Sequence, residues 1–64
     1  MQKPIQPIRY TIAYAVLESA KDAGDAKHVA AARRCINAWR IGHKAPADFA
    51  MVMEAYNAMR EVAA

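Results

Sequence analysis

The stretch GDAKHVAAARRCINAWRIG, residues 24–42, decides how this 64-residue chain is read. It opens and closes on glycine and holds no other glycine and no proline. Gly24 suits the position just past a helix end, where the backbone turns left-handed. Asp25 beside it is a good N-cap, so a helix is predicted from Ala26 to Arg40 or Ile41, with Gly42 as its stop. At about 100° per residue the apolar side of this helix holds Val29, Ala32, Ile36 and Trp39. Ala31, Cys35 and Ala38 lie beside them.

The flanking stretches follow the same punctuation. A first helix is predicted from Ile8 to Ala23. A third is predicted from Pro46, whose missing N–H costs nothing in a first turn, to Val62 or the chain end. Asp48 sits in that first turn, where the helix dipole favours an acid. Pro4 and Pro7 disfavour helix before Ile8, so residues 1–7 are read as an extended arm and 8–64 as one domain. The third helix presents Phe49, Val52, Tyr56, Met59 and Ala63 on one side. If the second and third helices fold back as an antiparallel hairpin, Ile36 faces Tyr56, Trp39 faces Val52, Ala32 meets Met59 and Val29 meets Ala63. The residue numbers of these pairs add to a near-constant value, as an antiparallel register requires.

Composition supports an all-α, small three-helix unit. Apolar residues make up 56% of the chain, yet a quarter of all residues are alanine, the best helix former. No β-branched run exists from which strands could be built. A chain this short buries only about 60% of its unfolded surface, so tight packing or association must support it. The single cysteine, Cys35, excludes an internal disulfide and suggests a reducing, cytoplasmic setting. No leader peptide and no apolar run long enough to cross a bilayer is evident, so a soluble protein is expected.

The first helix offers Ile8, Ile12, Ala15, Val16 and Ala20 to the core. Tyr10, Tyr14 and Leu17 form a second apolar stripe. They either cover core edges or make a dimer or partner patch, in which tyrosine is enriched.

Charge is the anomaly. The net charge is only +3, yet Lys27, Arg33, Arg34, Arg40 and Lys44 project over one arc of roughly 140°, together with Ala30, Asn37 and Ile41. No acid interrupts the arc, and Glu18, Asp22, Glu54 and Glu61 are expected to point away from it. Like charges without local partners suggest an external anion. An acidic protein surface is the leading reading, which makes the protein a small regulator, inhibitor or adaptor. Free-standing chains of this size often play such parts for larger machines, those of phages and plasmids included.

The alternative is nucleic acid. Ala20, Gly24 and the following helix fit helix-turn-helix spacing, whereas Asp25 after the glycine and Arg33 at a position that should be buried depart from it. The basic arc has only small alanines and one tryptophan behind it, too little for membrane insertion.

Nothing in the chain suggests catalysis, a cofactor or a metal. The glycines are isolated, so there is no phosphate loop. Ser19, the only serine, sits mid-helix on the core side, and a bond from its hydroxyl to a preceding carbonyl is expected. Cys35 lies two turns from His28 and reads as a small packed residue. His43 is expected to interact with the last carbonyls of its helix. His28 and His43 are fifteen positions apart with no second thiol, which is not zinc spacing.

Overall fold

The computed structural model describes residues 8–63, with side chains described through Glu61. It contains three helices, α1 (Ile8–Ala23), α2 (Ala26–Arg40) and α3 (Pro46–Ala63). The described residues form no strand, and every pair of helices is in contact. The extended arm expected over residues 1–7 lies outside the described residues, as does the Ala63 side chain expected opposite Val29.

Both turns are built as the glycines predict. Gly24 has φ +73° and Gly42 φ +81°. After α1, the N–H of Gly24 donates to the Lys21 carbonyl and that of Asp25 to the Ala20 carbonyl. After α2, Gly42 N–H donates to Trp39 and His43 N–H to Ala38. Each pair of bonds satisfies helix-end carbonyls only because the glycine between takes a left-handed backbone. Asp25 serves twice, ending α1 through its own N–H and capping α2 by accepting from the His28 N–H at 3.3 Å.

The core explains the alanine content. Ala13, Ala31, Ala32, Cys35 and Val52 are fully buried and Val16 nearly so. Small side chains at these contacts let the helix backbones approach closely. The bulk comes at one end from Trp39, which is 7% exposed. Its ring meets Tyr10 of α1 and Phe49 of α3 edge-on, each at 5.3 Å between centroids. That geometry is favoured by the ring quadrupoles. Val52, expected opposite Trp39, is buried in the same cluster, while Phe49 supplies the ring contact. At the far end, Asp25, the cap of α2, and His28 share a groove with Ala55, Ala58 and Met59 of α3.

Replacing a buried tryptophan by alanine typically costs about 3–5 kcal/mol. A chain of this length has about 3–10 kcal/mol of total stability. Trp39→Ala is therefore expected to abolish or nearly abolish the cooperative thermal transition followed by circular dichroism. A transition within a few degrees of the parent would show that the Trp39 junction does not hold the helices together.

Candidate functional site

The outer side of α2 is the candidate site. Its buried residues, Ala31, Ala32, Cys35, Ile36 and Trp39, occupy one side of the helix. The other side therefore faces solvent by geometry: Lys27, Arg33, Arg34, Asn37 and Arg40 are all exposed, as is Lys44 just beyond the helix. Ile41, at the C-cap within this arc, is 71% exposed.

The expectation that no acid of the same chain meets this arc fails at Arg34. Its Nε donates to Asp48 Oδ2 at 3.1 Å and its Nη2 to Oδ1 at 3.0 Å, a two-pronged pair between α2 and the first turn of α3. These bonds hold the Asp48 carboxyl below the ordinary carboxylate range and raise the Arg34 guanidinium further. The pair is solvent-accessible, so salt screens it. Fourteen positions separate Asp48 from Arg34, and a helical wheel cannot place the start of one helix beside the middle of another. Among the described residues, no carboxylate lies within ion-pair distance of Lys27, Arg33, Arg40 or Lys44. The other bridges among the described residues join Lys21 to Glu18 at 3.8 Å and His28 to Asp25.

Two further groups escape the sequence pattern. Arg9 of α1 lies with its guanidinium 4.9 Å from the centre of the Trp39 ring, a cation–π contact that brings another positive charge to the end of α2. His28 donates from Nδ1 to Asp25 Oδ2 at 2.6 Å. The His28 backbone N–H first, and then its ring, lower the Asp25 pKa. An aspartate N-cap with histidine at the third helical position carries this signal in sequence, because the carboxyl that accepts the His28 N–H also lies within reach of the His28 ring.

The Tyr10–Tyr14–Leu17 stripe is divided. Tyr10 packs on Trp39, Leu17 lies partly buried against the core, and Tyr14 is 46% exposed. Cys35 is buried, which raises its thiol pKa through desolvation and keeps it unreactive. His43 meets a late α2 carbonyl through its backbone N–H, while its side chain is exposed.

Ser19 is half-buried in the wall of a groove of about 560 Å³ between α1, the start of α2 and α3. Val16, Ala20, Ala23, Ala55, Ala58 and Met59 line it, with Asp25 and His28 also in its wall. Among the described residues no group of three His, Cys, Asp or Glu side chains could hold a metal ion, and no helix is long and apolar enough to cross a membrane.

Comparison with protein-family models, curated proteins and solved structures finds no match to this chain.

The pH dependence follows from the two lowered carboxyls. A carboxyl whose folded pKa is depressed adds stability above its unfolded pKa, about 3.9, and loses it as pH falls through the folded value. The Tm should therefore hold as pH falls from 8 to about 4.5 and drop below that. Asp25→Asn with Asp48→Asn should lower the Tm at pH 7 and flatten the acid limb. An acid limb as steep as the parent's would remove these two groups as its cause.

Proposed function

We propose that this protein is a small non-enzymatic regulator or adaptor that binds an acidic protein surface through α2, as part of a complex or a homodimer, in the reducing cytoplasm. One observation carries the reading: Lys27, Arg33, Arg40 and Lys44 are exposed and have no carboxylate partner among the described residues. Arg34 is the internal contrast, since the Asp48 carboxylate pairs with it. An acidic partner surface would lower the mutual repulsion of the remaining cations and speed encounter through long-range attraction. Exposed Ile41 within the arc favours protein over nucleic acid, because an apolar anchor surrounded by cations suits a protein surface better than a phosphate backbone. Tyr14, left 46% exposed, is available for a further contact.

Arg33→Glu with Arg40→Glu should abolish partner capture from nuclease-treated extract while leaving the far-ultraviolet circular dichroism unchanged. The parent protein should leave random duplex DNA unshifted at micromolar concentration in low salt. Clear retardation of the DNA, weakening steeply with salt, would instead establish nucleic acid as the anion.

A further inference from the structure

The two-residue link between α1 and α2 and the short link between α2 and α3 put opposite chemistry at the two ends of the bundle. At one end α1 begins, α2 finishes and α3 begins, joined through Tyr10, Trp39 and Phe49. This end carries Arg9, Arg40 and Lys44, and its nearby acid, Asp48, is already bonded to Arg34. Ile41 stands out from it at 71% exposure.

At the other end α1 finishes, α2 begins and α3 approaches its end. Glu18, Asp22, Asp25 and Glu61 lie there with Lys21, Lys27 and Arg60, an excess of one acid, with Lys21 held by Glu18 and Asp25 by His28. The two ends are about 23 Å apart, the length of a fifteen-residue helix. The helix dipoles add to this polarity: two N-termini and one C-terminus sit at the basic end, and the reverse holds at the acidic end.

The acidic end also holds the groove of about 560 Å³. It exists because Ala20, Ala23, Ala55 and Ala58 stand where larger side chains would close the space between helices. Its occupant must be apolar to match these walls and Met59. It must also be flanked by positive charge, to match Asp22 beside Ala23, which is exposed and in no ion pair among the described residues, whereas Asp25 in the wall is already bonded to His28. The basic end of this same chain presents that combination.

We propose that the protein docks on a second copy of itself head to tail, with Ile41 of one copy seated in the alanine-walled groove of the next. This rests on the reading of α2 as a binder of acidic protein surfaces, and it names that surface. Arg40 and Lys44 of the first copy then lie beside Asp22 of the second. The contact joins two different patches, so each added copy leaves one free Ile41 end and one free groove.

Sedimentation velocity of the full chain tests the arrangement. At about 0.02 M salt the parent should show a sedimentation coefficient that rises with concentration, and at about 0.5 M salt the rise should be largely lost. Ile41→Ser removes the apolar anchor, and Ala58→Lys blocks the groove at an exposed position. Each alone should weaken self-association by about tenfold or more. Mixed in equal amounts they should form a one-to-one dimer and nothing larger, because only one anchor and one groove remain intact.

Self-association of either variant at the parent's strength would overturn the proposal, as would a mixture no more associated than its components. A parent that stays monomeric to about 1 mM in low salt would also overturn it. None of these outcomes touches the broader reading, which fails only if Arg33→Glu with Arg40→Glu leaves capture of other proteins intact.

Discussion

Trp39 is the contact on which the rest of the structure depends. It is the one large residue of α2 at the junction of all three helices, and its edge-on contacts with Tyr10 and Phe49 tie α1 and α3 to the same end of α2. Elsewhere the fully buried core is alanine, valine and cysteine, which allow close approach but bury little area each, with Ile12 and Ile36 beside them at 8% and 6% exposure. With Trp39 inward, the 3.6-residue repeat turns Arg33, Arg34, Asn37 and Arg40 outward. The exposed basic face is thus a consequence of where the tryptophan goes.

Arg34 and Asp48 divide that face into a satisfied part and an unsatisfied part. A two-pronged guanidinium–carboxylate pair has defined geometry and links the middle of α2 to the start of α3. Exposure keeps its contribution to stability small. Its larger effect is on charge distribution: it occupies Asp48 and leaves Arg33, Arg40, Lys27 and Lys44 without an ion-pair carboxylate among the described residues. The Arg9 guanidinium over Trp39 adds a further cation where α2 ends.

Much of the fold was legible because its signals are local. Gly24, Asp25, Gly42 and Pro46 each act through their own backbone geometry, and the helix ends fall where they indicate. Most of the apolar sides of α1 and α2 was readable from spacing, since Ile12, Val16, Ala32, Ile36 and Trp39 are all buried. Ile8, expected on the core side of α1, is instead 76% exposed, because it starts the helix beyond the last residues that α2 and α3 cover. What could not be read depends on how helices sit against each other. The Arg34–Asp48 pair needs the packing of α3 on α2, and Tyr10 and Leu17 could be assigned to the core only once Trp39 had a position. The groove was invisible because it arises from what alanine lacks at Ala20, Ala23, Ala55 and Ala58. The His28–Asp25 bond is the exception: it is local, and the capping position of Asp25 already brought His28 within reach.

The central claim is that the arginines of α2 differ, Arg34 being held within the chain and Arg33 and Arg40 being available. Side-chain Nε–Hε resonances of nitrogen-15-labelled protein report this directly, followed while a short glutamate-rich peptide is added in low salt. The account predicts that Arg33 and Arg40 shift with added peptide while Arg34 stays in place, and that Asp48→Asn makes Arg34 respond as the others do. Equal response of all three arginines in the parent protein, or no response from Arg33 and Arg40, would contradict it.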